Sequence, residues 1–177
     1  MKNNQANGAG LSALIRSTLF VRNRKRAKLF YRALGFSQLY FEGVLEHPSA
    51  SAVLGLTDVI SYPVSILKTP GPNVGMLGLF ELPESDNAVP SRTGPAAVGE
   101  SALVFYVRDF DSVLPRLKAA GATWLPATTT FELGHFKHRE ICLRDCDGFL
   151  VNLIERQPED QFLTGPELDF TPLDNEV

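Results

Sequence analysis

The sequence predicts an α+β chain made of two tandem β-α-β-β-β modules. Three observations carry this. A short motif recurs at a fixed offset, each copy leads into a helix with a start and a stop signal, and each helix is followed by three strand-like segments. Residues 19–23 read LFVRN and residues 105–109 read FYVRD, an offset of 86. At that offset Val21, Arg22, Ala33 and Gly35 match Val107, Arg108, Ala119 and Gly121. Internal similarity at a fixed spacing is the mark of a repeated supersecondary unit.

Each element follows from local chemistry. The first strand of each copy is read as an alternating, largely apolar strand that ends at Asn23 or Asp109, whose side chains suit the helix N-cap. Ala27, Phe30, Tyr31 and Leu34 form an apolar stripe at helical spacing in the first copy, and Val113, Leu114, Leu117 and Ala120 in the second. Gly35 and Gly121 stop the helices, since glycine takes the left-handed conformation freely. Pro115 is read as lying near the start of its helix, where the missing N–H costs least. The strand-like segments are 36–46, 60–68 and 74–82, then 122–130, 137–144 and 149–156. The last strands, GLFEL and NLIER, lie 74 apart, so the first copy is twelve residues longer in its middle. The excess falls at 47–58, read as a loop with a short helix. The expected organisation is an N-terminal tail (1–12), a first module (13–82), a Pro/Gly/Ser-rich linker (83–99), a second module (100–156) and an acidic tail (157–177).

Bulk properties narrow the function classes. The chain has 177 residues, 44% hydrophobic and 21% charged, enough for a sizeable core. A net charge of −3 argues against nucleic acid as a partner. The basic run at 22–28 opens a helix and reads as a solvated face. Two cysteines, Cys142 and Cys146, make neither a disulfide scaffold nor a zinc motif. No apolar run is long enough to span a membrane and no signal region is visible, so a cytoplasmic protein is expected.

The stretches LFVRNRKRAKLFYRALGF, FYVRDFDSVLPRLKAAG and LRDCDGFLVNLIER resemble the vicinal-oxygen-chelate superfamily, the glyoxalase, bleomycin resistance protein and dioxygenase group. In the last stretch Cys146 and Phe149 stand where the family pattern has proline and asparagine. The resemblance covers roughly 13–156. It implies a cupped mixed sheet with its helices on the outer face, and homodimerisation. It also implies where metal ligands would sit: seven residues before each helix cap, and on each last strand. Those positions hold Arg16, Ala102, Gly78 and Asn152, which lack the usual His, Gln and Glu donors. No metal and no cofactor is therefore expected.

Alternation places Arg16, Thr18 and Phe20 inside the cup, with Phe80 from the first module's last strand. Tyr106, Asn152 and Ile154 line it from the second module. An inward arginine suits an anionic ligand group; an ion pair with Glu140 or Glu132, or simple exposure, are the other readings. His138 and Glu140 share a strand face and could form an acid/base pair; surface residues at the rim are the other reading. His135, His138 and Glu140 make a second-choice metal site. Trp124 and Tyr40 either stack on a flat ligand or belong to the core, and His47 is placed to cap the cavity. The leading expectation is a metal-free protein that binds a small, mostly apolar organic molecule, with or without an acidic group. The alternative is a metal-independent isomerase or lyase using Glu140 and His138. A third is a metal-dependent lyase or dioxygenase.

Overall fold

Alternation and capping set the start of each half. The computed structural model describes residues 12–86, 88–133 and 136–162. Strand β1 (Arg16–Val21) leads into helix α1 (Arg24–Leu34), and β5 (Ala102–Val107) leads into α3 (Phe110–Ala119). Asn23 Oδ1 accepts from the Arg26 amide at 2.9 Å, and Asp109 Oδ1 accepts from the Asp111 amide at 2.9 Å. Gly35 ends α1 at φ 138°, and Gly121, at φ 93°, follows α3. The stripes bury Ala27, Phe30 and Tyr31 in one half and Phe110, Val113 and Leu117 in the other. Pro115 is a correction. It lies inside α3, sixth of ten residues, where a missing amide costs on the order of 3 kcal/mol. Burial of Phe110, Val113 and Leu117 on either side holds the helix in place regardless.

A second capping device was not foreseen. Glu81 Oε2 accepts from the Arg24 amide at 2.7 Å, and Glu155 Oε1 accepts from the Phe110 amide at 2.9 Å. Each last strand thus ends in a carboxylate placed against the N-terminus of its module's helix, where negative charge is favoured. This matched use confirms that both glutamates lie on the helix side of their sheets.

The first sheet adds β2 (Gln38–Leu45), β3 (Tyr62–Lys68) and β4 (Met76–Glu81), in the order β1-β4-β3-β2. The second adds β6 (Thr129–Leu133), β7 (Phe136–Arg144) and β8 (Leu150–Glu155), in the order β5-β8-β7-β6. The first and last strands of each sheet pair in parallel and the rest antiparallel. Arg16 faces Met76 across one parallel pair, and Ala102 faces Leu150 across the other, so the register repeats with the motif. One strand differs from expectation. Over 122–128 there is only a single bridge, Trp124 to Arg144, and β6 begins at Thr129. Pro126 offers no amide to a ladder and delays the pairing.

Both modules share one core. Leu19, Val21, Leu67, Leu77 and Leu79 of the first sheet and Ile141, Leu143, Val151 and Leu153 of the second pack around α1 and α3. Phe36 and Phe105 meet edge to face, 5.6 Å between centroids, and join the halves. Among the described residues no helix is long and apolar enough to cross a membrane.

The extra twelve residues of the first module form α2 (Pro48–Val53) and its flanks. They cover the sheet face opposite the helices. Tyr62, Val64, Ile66, Met76 and Phe80 are buried there against Ala50, Leu54, Leu56 and Val59. Tyr62 donates to the Ala50 carbonyl at 2.9 Å, and Ser51 donates to the Val59 carbonyl at 2.6 Å. His47 caps the segment, its Nδ1 accepting from the Ser49 amide at 3.2 Å.

The linker is tied down by one buried cation. Arg144, 1% exposed, donates to the carbonyls of Gly94 (2.7 Å), Pro95 (2.8 Å) and Gly148 (2.9 Å) and grips both oxygens of Glu100 at 2.9 Å. Those contacts hold the Glu100 carboxyl down at about 2. Beside it, Asp145 accepts from the Tyr31 hydroxyl at 2.7 Å and from the Asp147 and Phe149 amides. Burial makes both Tyr31 and Asp145 weaker acids, raising the pKa of each.

Candidate functional site

The side chains expected to line the cup are carried by two four-stranded sheets, one from each module. Arg16, Thr18, Phe20 and Phe80 lie on the inner face of the first sheet, where the register sets Thr18 opposite Gly78 and Phe20 opposite Phe80. Tyr106, Asn152 and Ile154 lie on the inner face of the second, with His138 and Glu140 beside them on β7.

On the first face Arg16 is exposed and makes no ion pair among the described residues. Its guanidinium lies 5.6 Å from the centroid of the Phe80 ring, and its Nε donates to Thr18 Oγ1 at 3.3 Å. A Cβ at Gly78 would come within 3.0 Å of Arg16 Cδ, so the glycine makes room for the arginine stem. Of the three readings for Arg16, the internal ion pair falls away. Glu140 is engaged elsewhere, and Glu132 pairs with Lys137 at 2.5 Å. Phe80 itself is buried between Phe20, Tyr62 and the arginine.

On the second face three polar side chains meet. Glu140 Oε1 accepts from Asn152 Nδ2 at 2.7 Å, and Glu140 Oε2 lies 3.0 Å from His138 Nε2. A carboxylate only accepts, so the amide nitrogen must face it. Asn152 Oδ1 therefore points away, buried and with no partner among the described residues. An acceptor left in that state costs about 1–3 kcal/mol. The His138 ring stacks on Phe131 at 5.2 Å. The cross-strand pairing of Phe131 with His138 was not legible before the β6–β7 register was known. His138 and Glu140 are mostly shielded, their side chains 18% and 22% exposed. Around them the face is apolar and open: Val104 is 55% exposed and Phe131 42%. The Arg156 guanidinium lies 5.5 Å from the Tyr106 ring centroid and pairs with Asp160 at 2.8 Å.

This arrangement can hold a proton between a carboxylate and an imidazole, and can present both to a molecule lying on the strands. Cys142 sits opposite Asn152, and burial raises its thiol, which makes it a poor nucleophile at neutral pH. Burial pushes the Cys146 thiol up to about 12. Among the described residues no group of three His, Cys, Asp or Glu side chains is placed to hold a metal ion. His135, and with it the second-choice metal site, lies outside the described residues. Trp124 is half-buried, and Tyr40 is exposed on β2 rather than in the core.

No protein-family model matches the sequence, and no curated protein matches it either. Solved structures do. A glyoxalase family protein from Bacillus cereus is 21% identical over 85% of this chain and 96% of its own, with a TM-score of 0.66. The chain has the glyoxalase/bleomycin resistance/dioxygenase fold. A domain described by those three names from Frankia sp. is 17% identical over 83% of this chain and 99% of its own, TM-score 0.54. A mutant of the fosfomycin resistance protein FosX from Listeria monocytogenes is also similar, and was solved with Mn(II) and 1S,2S-dihydroxypropylphosphonic acid. It is 15% identical over 86% of this chain and 99% of its own, TM-score 0.52. At these identities the glyoxalase fold is what the two share with this chain.

Proposed function

We propose that this glyoxalase-fold protein binds a small, mostly apolar organic molecule on the inner face of its second module, without a metal. The carrying observation is the polar trio Glu140, His138 and Asn152 set in an open apolar face. Small-molecule sites are concave and mostly apolar with a few convergent polar groups, and this face supplies one wall of such a site. The orphaned Asn152 oxygen supports the reading, because a buried acceptor without a donor is retained at a cost to stability. The positions that resemblance assigns to metal ligands hold Arg16, Gly78, Ala102 and Asn152, a donor set that does not fit a divalent ion. In this reading the ligand's body covers Val104, Tyr106, Phe131 and Ile154. A second copy of the chain closes the face, which sedimentation analysis would register as a homodimer. Thermal-shift screening of the whole chain against hydrophobic acids and neutral aromatic compounds tests the proposal. Stabilisation is expected, and it should weaken in Asn152→Ala. A panel without a single stabilising compound would sink it.

The 3.0 Å contact between His138 and Glu140 favours a second reading, a metal-independent isomerase or lyase. There Glu140 takes a proton from the substrate and His138 returns one. Glu140→Gln would then abolish turnover while leaving binding within a few-fold.

A further inference from the structure

A cavity opens between the two modules, where Phe20 reaches it from the first sheet and Leu150 from the second. It holds about 550 Å³ at the junction of the two modules, beneath the linker, within the roughly 300–1,000 Å³ usual for ligand sites. Phe20, Leu56, Leu82, Val89, Phe149 and Leu150 form its apolar walls. Phe20, although aromatic and on a strand, is 45% exposed there.

The cavity is built rather than left between loose segments. Arg144 fixes the linker through Gly94, Pro95 and Glu100. Ser91 donates to the Asp147 carbonyl at 2.9 Å. The turn below fits so closely that a Cβ on Gly148 would come within 2.4 Å of the Arg92 backbone nitrogen. The five charged side chains that border the space are all neutralised within the chain. Arg22 pairs with Glu84 at 2.7 Å, Arg92 with Glu100 at 2.9 Å, and Asp147 with Arg26 at 2.9 Å. A charged ligand would find no free counter-ion, and burying its charge unpaired is costly.

We propose that this junction cavity is a second small-molecule site, selective for uncharged apolar compounds. Val104, Tyr106, Phe131, His138, Glu140 and Asn152, which make the face proposed above, do not line it. The test uses a matched pair of fluorescent probes with the same aryl body: neutral N-phenyl-1-naphthylamine and its sulfonated analogue, 8-anilinonaphthalene-1-sulfonate. With the full chain, the neutral probe is expected to bind saturably at one site, and roughly tenfold more tightly than the sulfonate. Ser101→Trp puts bulk into the cavity from an exposed position and should abolish binding. Phe20→Glu adds an unpaired charge and should do the same. Both variants are checked for native circular dichroism. Equal affinity for the two probes would overturn the selectivity. If Ser101→Trp and Phe20→Glu are both folded and bind normally, the site itself is overturned. If Val104→Arg abolishes binding instead, the probe occupies the second module's inner face. That outcome refutes the junction site and leaves the earlier reading standing.

Discussion

The two modules repeat the same register, caps and helix, yet their inner faces end in opposite states. In the first, the twelve-residue insertion folds across the sheet and buries Tyr62, Val64, Ile66, Met76 and Phe80. In the second, among the described residues, Val104 and Phe131 remain exposed around Glu140, His138 and Asn152. The difference teaches how a duplicated scaffold divides its labour. One face is spent on a satellite core that stabilises the fold, and the other is left free to receive something else.

Mutations sharpen that contrast. The largest effect is expected at apolar positions on the two inner faces. Phe80→Ala should cost about 3–5 kcal/mol in urea unfolding, whereas Val104→Ala should stay within about 0.5 kcal/mol. Equal costs would erase the distinction between a closed and an open face. Arg144→Met removes the cation that fixes the linker against the second module. A loss of about 3 kcal/mol or more is expected, because Glu100 and three carbonyls lose their partner. Tyr62→Phe deletes only the hydroxyl bond to Ala50 and should cost about 1 kcal/mol. Asn152→Leu should change stability by less than about 1 kcal/mol, since it removes an orphaned acceptor along with one hydrogen bond. A large loss there would mean that the trio serves the fold rather than a ligand.

Acid sensitivity is expected from both modules: Lys28 depresses Glu42 in the first, and the stronger case lies in the second. Glu100 is held at about 2, below its ordinary 4.5, by Arg144 and Arg92. A depressed carboxyl stabilises the fold above its unfolded value, and that contribution disappears as pH falls from about 4.5 towards 2. Arg139 depresses Glu155 in the same direction. Melting temperatures taken between pH 5 and pH 2.5 should fall less in Glu100→Gln than in the parent chain. Parallel curves would show that the Arg144 grip contributes nothing to acid sensitivity.

Much of this architecture was legible in the sequence because the repeat encoded it locally. Asn23, Asp109, Gly35 and Gly121 bracket the helices, and a period of two places Arg16 with Met76 and Ala102 with Leu150. The shared face of His138 and Glu140 followed from the same period. What local pattern could not supply was contact between distant segments. The insertion at 47–58 read as a loop with a short helix, and only its packing with Phe80 makes it a plug. Alternation assigned side chains to a face of each sheet without saying which faces meet. The bond from Asn152 to Glu140 joins residues twelve apart on neighbouring strands, visible once the β7–β8 register is known. Glu81 and Glu155, repeated at the end of each last strand, were a signal for helix capping within reach of the sequence.

The central claim is that the second module's inner face, and not the first's, receives a small molecule. Amide chemical-shift mapping of the whole chain, titrated with the compounds that raise its melting temperature, tests it most directly. The account predicts shifts that cluster at Val104, Tyr106, His138, Glu140 and Asn152 and leave Val64, Ile66 and Phe80 unmoved. Shifts centred on the first face, or confined to the linker with the second face silent, would contradict it.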